Sequence, residues 1–237
     1  LMAFGALAPA GNASAQGEQK TETVALDPFT SVQINGGGTA TLTIGDTPSV
    51  TIVGNSLIVD QLDAKVVDGE LVLGSPLTSA LDVTGLSELT YEIVAPSVDE
   101  IHLAGTVNLT VDTPLVQPFL ELGLTTGAEL TIPAMSVASL TGKLDLLSKA
   151  TLAGQAGTMQ LEINNGSELH ASDLQVGAAD LVLNGVAKAN VRVTHALTGR
   201  AAQGSTVTYI TESVVPEMTL TTLASLMSFD VEQVQPG

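Results

Sequence analysis

Two consecutive segments, LEINNGSELHASDLQVGAAD over residues 161–180 and LVLNGVAKANVRVTHALTGR over residues 181–200, indicate the fold of this chain. Each segment opens with alternating aliphatic residues and then passes through Asn and Gly. A step of small, polar and aliphatic residues follows, and the segment ends in polar residues. Self-similarity at a fixed short period is typical of repeat proteins, in which each repeat buries its apolar face against its neighbours. The two segments therefore predict stacked coils of about 20 residues.

The same step of small, polar, aliphatic, any and aliphatic residues recurs along the chain. Clear copies occupy residues 40–44, 107–111 and 128–132, and weaker copies begin at Ala150, Ser167, Ala189 and Ser205. The aliphatic positions of these steps are expected to form one inward column with a mean spacing of about 20 residues: Leu109, Leu130, Leu152, Leu169, Val191 and Val207. A glycine precedes most of the steps: Gly38, Gly105, Gly127, Gly166, Gly185 and Gly204.

These features predict an all-β fold, a right-handed parallel β-helix-like stack with coils of about 20 residues. A strand of three to five residues cannot hide its apolar face alone, but strands stacked about 4.8 Å apart can. The whole stack would hold about eight or nine coils at this spacing. A β-sandwich is the alternative, because it also has many short strands at regular intervals. The persistent period and the variable turns favour the stack.

Local patterns predict two departures from the repeat near the N-terminus. Residues 54–64 have i, i+3 and i+4 spacing of apolar positions, which indicates one short helix or a long turn. Residues 66–73 alternate on both sides of Asp68 and Gly69, a pair that favours a hairpin.

The domain boundaries follow from shifts in composition. Residues 1–15 are predicted to be the remnant of a signal peptide, because a short apolar run precedes the small residues Ala13, Ser14 and Ala15. Residues 16–26 are expected to be a disordered linker, residues 27–215 the β-helix, and residues 216–237 a last coil or cap with a loose tail. No apolar run approaches the roughly 18 to 20 residues that a membrane span requires.

Composition and charge exclude several classes of function. The chain has 25 acidic and 7 basic residues and a net charge of −18, which disfavours nucleic acid and anionic membranes as partners. It has no Cys, which excludes disulfides and thiolate chemistry. Aromatic residues make up 3% and Trp is absent, so an aromatic platform for sugars is not expected. The acidity is typical of a soluble exported protein.

The chain resembles a known family, the head GIN domain, most clearly in its opening strands. The resemblance extends over roughly residues 27–210 and rests on strand rhythm and turn glycines. The positions that carry it are Phe29, Ser31, Val32, Ile34, Gly36, Gly37, Leu42, Ile44, Gly45, Asp46, Val50, Ile52, Val66, Asp68, Gly69, Leu71 and Leu73. The resemblance implies an exported bacterial protein, labelled an autotransporter adhesin and of unassigned function. It also implies a right-handed stack of short strands outside the cytoplasm, and it supplies no active-site residues.

No motif in the sequence predicts a catalytic centre, a metal or a cofactor. His102, His170 and His195 fall in different coils, and we expect them on the surface. Gly36, Gly37 and Gly38 follow a strand without a helix behind them, so corner geometry explains them better than a phosphate loop does. Calcium is a conceivable ligand of so acidic a chain, but the glycine-rich nonapeptide that binds calcium in other stacks is missing.

One outward-facing set of polar residues is the candidate binding strip, expected along one face: Thr41, Asn108, Glu129, Thr151, Glu168, Asn190 and Thr206. The leading hypothesis is a non-enzymatic, adhesin-like binding or structural module of the cell envelope, in the periplasm or on the cell surface. Its partner would be an envelope glycan or a protein surface. The alternative is a carbohydrate-active enzyme on a parallel β-helix, with Glu129 and Glu168 as the paired carboxylates that glycosidases need. A solvated ladder of Thr, Asn and Glu without a ligand explains the same pattern.

Overall fold

The computed structural model describes residues 18–74, 88–211 and 215–228. Within these ranges the chain forms strands and one short helix α1, Ser56–Val59. The strands are β1 Gln19–Ala25, β2 Ser31–Ile44, β3 Ser49–Asn55, β4 Asp63–Val67, β5 Glu70–Gly74, β6 Thr90–Ala95, β7 Glu100–Val111, β8 Leu115–Thr125, β9 Glu129–Leu144, β10 Lys149–Asn164, β11 Glu168–Asn184, β12 Lys188–Ala201, β13 Thr206–Ile210, β14 Glu217–Leu220 and β15 Ser225–Ser228. The four-residue helix is too short to cross a bilayer, and these ranges contain no longer one.

The strands stack in parallel as a β-solenoid of about six turns, which confirms the predicted stack over the β-sandwich. The segments at 161–180 and 181–200 lie directly on one another, with Leu161 opposite Leu181 and Asn164 opposite Asn184. Each coil thus hydrogen-bonds to the coils before and after it. A strand that is too short to be stable alone buries its apolar face by repetition.

Each central coil has three faces, which we call A, B and C. Face A contains residues 100–104, 121–125, 141–144, 160–164, 180–184, 198–201 and 217–220. Face B contains residues 107–111, 129–132, 149–152, 168–171, 188–192, 206–210 and 225–228. Face C contains residues 115–120, 135–140, 154–159, 173–179 and 193–197. The chain follows the order B, C, A, so the strands β9 to β12 each bend around the whole coil.

A continuous column of aliphatic side chains fills the interior behind face B. Its members are at most 1% exposed and are 21, 20, 19, 20 and 18 residues apart: Leu109, Leu130, Ala150, Leu169, Ala189 and Val207. Leu152 and Val191, which the sequence placed in this column, lie in the neighbouring one, opposite Ile132 and Ala171. The prediction was therefore wrong in those two coils, where the residue in the column lies two positions earlier in the chain than the predicted one.

The N-terminal end of the stack is closed by antiparallel strands. Strand β2 lies directly on β7, with Ser31 opposite Glu100, so the described residues between Gly45 and Asp99 form no complete further coil. In this segment β5 and β6 pair with β2 in parallel, while β4 pairs with β5 and β3 pairs with β6 in the antiparallel sense. The expectation of eight or nine coils is corrected to about six turns for this reason.

The N-terminal segment is also more ordered than expected. Gln19–Ala25, assigned from the sequence to a disordered linker, forms β1 and pairs antiparallel with β3. Lys20 of this edge strand contacts Asp60 and Glu22, each at 2.6 Å. The residues QKTETVA alternate between exposed and half-buried, although their polarity is also typical of a linker. Charged side chains are expected on an edge strand, because they discourage pairing with other molecules. The predicted signal-peptide remnant at residues 1–15 lies outside the described residues.

The local predictions for this end are confirmed. The helix expected within 54–64 is α1, whose N-cap Asn55 accepts a hydrogen bond from the Leu57 amide. Asp68 and Gly69 both have positive φ, 52° and 84°, and join β4 to β5. Two left-handed central residues are typical of the tight turn that suits the twist of a hairpin.

The C-terminal residues continue the stack. Strand β14 pairs in parallel with β12, and β15 pairs in parallel with β13. These strands form the last coil, one of the two alternatives given for residues 216–237. The tail beyond Ser228 lies outside the described residues.

Positive φ and close backbone contact explain the glycines of this corner in β2 and β7, where Gly36 and Gly38 have φ of 136° and 117°. Gly105 has φ of 103°, and a Cβ added there would lie 2.0 Å from the backbone oxygen of Gly36 in the adjacent coil. No side chain fits at this position, so the interpretation of Gly36, Gly37 and Gly38 as a corner is supported.

We predict that Gly105→Ala destabilises the protein by at least about 3 kcal/mol, because the methyl group would collide with the Gly36 carbonyl. The matched control is Gly127→Ala. Gly127 also has positive φ, 79°, but nothing lies within 4 Å of an added Cβ, so only the conformational cost of about 1–2 kcal/mol applies. Urea unfolding of both variants measures the difference. Equal losses would contradict the close contact.

We predict that Leu169→Ala costs about 2–5 kcal/mol of unfolding free energy, since it would leave three consecutive alanines in the column behind face B. Val116→Ala, at a side chain that is 70% exposed, is expected to change stability by no more than about 0.5 kcal/mol. The same urea experiment compares the two truncations. A cost below about 1 kcal/mol for Leu169→Ala would show that the column is not tightly packed.

Candidate functional site

Face B carries two outward columns of polar side chains on an unbroken parallel sheet. The first column, nearest the corner with face A, holds Asn108, Glu129, Lys149, Glu168, Lys188 and Thr206. The second column lies two residues further along each strand and holds Thr41, Thr110, Thr131, Thr151, His170, Asn190 and Thr208. Because alternate residues of a strand point to the same side, both columns face away from the aliphatic interior.

The structure places all seven residues of the candidate strip on face B, in both columns. Asn108, Glu129, Glu168 and Thr206 lie in the first column. The others, Thr41, Thr151 and Asn190, lie in the second. The strip is thus a band two columns wide. Its role in binding stays a prediction.

The sequence pattern missed Lys149 and Lys188, which complete the first column, and His170 in the second. A usable signal was present at the corner that leads into face B. The residue directly before each member of the first column is small and at most 1% exposed in five successive coils: Ala128, Ser148, Ser167, Ala187 and Ser205. Alignment on this small residue gives the observed register, whereas alignment on the aliphatic steps allows a slip of two residues.

The first column alternates in charge along four successive coils: Glu129, Lys149, Glu168 and Lys188. Lys188 Nζ lies 2.9 Å from Glu168 Oε1, and His170 Nε2 lies 3.3 Å from Glu168 Oε2. The hydrogen bond from Lys188, followed by that from His170, lowers the pKa of Glu168 below its usual value. Glu168 is therefore an ionised carboxylate at neutral pH.

This electrostatic environment does not suit the glycosidase alternative. A glycosidase acid must hold a proton near neutral pH, which requires a raised pKa. The pKa of Glu168 moves in the opposite direction. Glu129 lies two coils away with Lys149 between them, a backbone separation of about 9.6 Å at the usual strand spacing. This spacing exceeds the roughly 5–5.5 Å between the carboxyls of retaining enzymes and is close to the upper limit of roughly 9.5 Å for inverting enzymes, so the argument against the pair rests on the lowered pKa of Glu168. The pair thus has the character of an exposed charge ladder.

The three histidines lie on three different faces. His102 is on face A, 3.7 Å from Glu100, and His195 is on face C, where its Nδ1 lies 2.8 Å from the Thr194 hydroxyl. His170 is on face B. In the described ranges no three His, Asp or Glu side chains come close enough together to hold a metal ion.

A shallow depression of about 380 Å³ lies on face A, lined by His102, Lys143 and Asp145 among others. Gly123 forms its floor, because a Cβ there would lie 2.3 Å from His102 Nδ1. Lys143 Nζ and Asp145 Oδ2 are 3.6 Å apart. The depression is open and lined by both polar and apolar groups, and we assign no ligand to it.

The fold is shared with several solved structures. A protein described as a "putative adhesin" from Bacteroides fragilis superposes with a TM-score of 0.84 at 14% identity, over 90% of this chain and 97% of that chain. A "putative adhesin" from Parabacteroides merdae has a TM-score of 0.70, also at 14% identity, with 90% and 97% covered. A "putative lipid binding protein" from Parabacteroides distasonis has a TM-score of 0.69 at 11% identity, with the same coverage. At these identities the likeness shows the fold alone.

No curated protein matches the chain. The family model described as "Putative auto-transporter adhesin, head GIN domain" matches residues 28–212, which is most of the sequence. The match agrees with the resemblance noted from the turn glycines and the strand rhythm between residues 27 and 210. The chain belongs to the head GIN domain family.

Proposed function

We propose that this protein is an exported, non-enzymatic binding module of the bacterial envelope that contacts a glycan or protein surface through face B. The observation that carries the proposal is the band of two polar columns on a regular parallel sheet. Its side chains are mostly short and offer hydroxyl, amide and carboxylate groups at a repeat of about 4.8 Å along the stack. Such a surface matches an extended, repetitive partner better than a small molecule.

Backbone order makes this face suitable for binding. The strands under the band are hydrogen-bonded on both sides, so the hydroxyls of Thr131 and Thr151 sit on rigid backbone. Binding to a rigid surface loses less conformational entropy than binding to a loop. Aromatic stacking is not available on this face, and hydrogen bonds therefore have to supply the affinity.

The ionised carboxylate of Glu168 in the first column suits hydrogen bonding to a partner. Glu168 is already engaged by Lys188 and His170, and it can accept further hydrogen bonds from sugar hydroxyls or protein amides. Export is supported by the small-residue pattern Ala13-Ser14-Ala15 and by the adhesin names of the family and the structural neighbours. The absence of Cys is compatible with either compartment outside the cytoplasm.

We predict that the double variant Thr151→Arg with Asn190→Arg loses at least tenfold in retention on purified bacterial envelope, equivalent to about 1.4 kcal/mol. Both residues lie in the second column, two coils apart, and the large side chains would stand above the flat face. Retention of fluorescently labelled protein on isolated envelope measures the effect.

The control for this test carries the same two changes on face C. Ser136→Arg with Gln175→Arg adds the same charge at two exposed positions, which are also two coils apart. This control should bind as the unsubstituted protein does. Equal binding of all three proteins would remove face B from the proposal, and release of reducing sugar ends from an envelope polysaccharide would favour the enzyme instead.

A further inference from the structure

The corner between faces A and B has an unusual backbone in six successive coils. At each corner two consecutive residues have positive φ, and the second of the two is alternately glycine and a large apolar residue. These second residues are Gly127, Leu147, Gly166, Val186, Gly204 and Leu223. The amides of the first five donate to the carbonyl oxygen of the first corner residue in the next coil, as from Leu147 N to Asn165 O at 3.1 Å. The six positions therefore form one edge of the stack, which we call the corner ridge.

The apolar members of the corner ridge are exposed. Leu147 is 74%, Val186 62% and Leu223 93% accessible to solvent. Nothing lies within 4 Å of a Cβ placed on Gly127 or Gly204, whereas Leu147 leans over Gly166, 2.8 Å from such a Cβ. Along the ridge a protruding apolar side chain, which we call a knob, therefore alternates with a glycine, which we call a notch. This pattern repeats every two coils, or about 9.6 Å.

These knobs occupy a conformation that disfavours them. A left-handed residue other than glycine costs about 1–2 kcal/mol, and a β-branched residue such as Val186 is a strong exception there. Glycine in every coil would relieve this strain and remove exposed apolar surface. Strain of this kind concentrates where a surface has a function.

The charges of the first column on face B alternate in step with the ridge. Coils with a glycine notch at Gly127 and Gly166 carry Glu129 and Glu168 two residues later. Coils with a knob at Leu147 and Val186 carry Lys149 and Lys188. Among the described residues, neither Glu129 nor Lys149 is in an ion pair.

We propose that the corner ridge and its charge column bind a second copy of this chain, aligned antiparallel. With a two-fold axis between the coils of Leu147 and Gly166, each knob coil faces a notch coil of the second copy. In this arrangement Val186 faces Gly127, and Lys188 faces Glu129. One register therefore satisfies shape and charge together across four coils, within about 15 Å. At the axis each Leu147 side chain, which already covers Gly166 of its own chain, meets Leu147 of the second copy.

Alternative arrangements do not satisfy both patterns in a closed dimer. Parallel copies in register would place knob on knob, and their B faces would lie on opposite sides of the contact, so the two charge columns would not meet. A parallel copy shifted by one coil restores the fit of knob to notch but not the pairing of charges, and it leaves unpaired coils at both ends, so it would continue into a filament. A lipid surface would bury the knobs but would not match the alternating charges. The antiparallel dimer is thus the occupant that the surface fits best.

The dimer is expected to be weak. Four coils of a convex edge give a contact below the roughly 1,200 Å² of stable complexes, and two chains of net charge −18 repel each other. The contact leaves the second column of face B open, since that column lies two residues further from the corner. The inference therefore goes beyond the proposed envelope binding and does not depend on it.

Disulfide trapping tests the arrangement without cross-links from native cysteines, because the chain has no Cys. Gly127→Cys and Val186→Cys are prepared as separate proteins and oxidised alone or as an equimolar mixture. The antiparallel register predicts efficient cross-linking in the mixture and at most a tenth of that yield for either variant alone. Self-cross-linking of each variant at the same yield as the mixture would overturn the proposal. Gln155→Cys mixed with Gln175→Cys, on face C, measures random collision.

Charge inversion tests the same register by sedimentation equilibrium on full-length protein, with circular dichroism to verify the fold. Lys149→Glu with Lys188→Glu should weaken dimerisation at least tenfold. Adding Glu129→Lys and Glu168→Lys inverts every sign but keeps the alternation, so the dimer should return. Failure of the fourfold variant to recover would overturn the inference. A monomeric parent that binds phosphatidylcholine vesicles, and loses this on Leu147→Ser with Leu223→Ser, would assign the ridge to lipid instead.

Discussion

Parallel hydrogen bonding between successive coils is the constraint on which the rest of the structure depends. Each strand is held about 4.8 Å from the strands before and after it, so a side chain meets its equivalents in the adjacent coils. The interior behind face B follows directly, because Leu130, Ala150 and Leu169 can only stack on one another. Stability is therefore a property of the repeat, and a residue is best understood by its place in a column.

The corners between faces A and B have the strictest steric requirements. Backbone approaches so closely at Gly105 that no Cβ fits, and the position that enters face B is Ala or Ser in the five successive coils from Ala128 to Ser205. Where serine is used, its hydroxyl is satisfied within the stack, as in the contacts of Ser148 with Leu124 and Ser167. These buried serines tie neighbouring coils together without widening the corner.

Repetition also separates surfaces that can serve different partners. Face B presents hydroxyls, amides and an ionised Glu168 as a flat band, while the corner ridge presents apolar side chains on strained backbone. The two surfaces share the first column, whose charges alternate with the ridge. The partner proposed for the second column and the second copy proposed for the ridge would therefore occupy different parts of the stack.

The sequence by itself determined the stack, the aliphatic interior, the turn at Asp68 and Gly69, and the family, since all of these depend on local alternation and glycine spacing. Only the tertiary structure decided the register. A period of two makes a slip of two residues invisible in the pattern, so Leu152 and Val191 were placed in the wrong column and Lys149 and Lys188 were missed. The antiparallel end and the order of Gln19–Ala25 were likewise settled by pairing partners distant in sequence. Hydrogen bonds between coils fix which residues align, and no single strand contains that information.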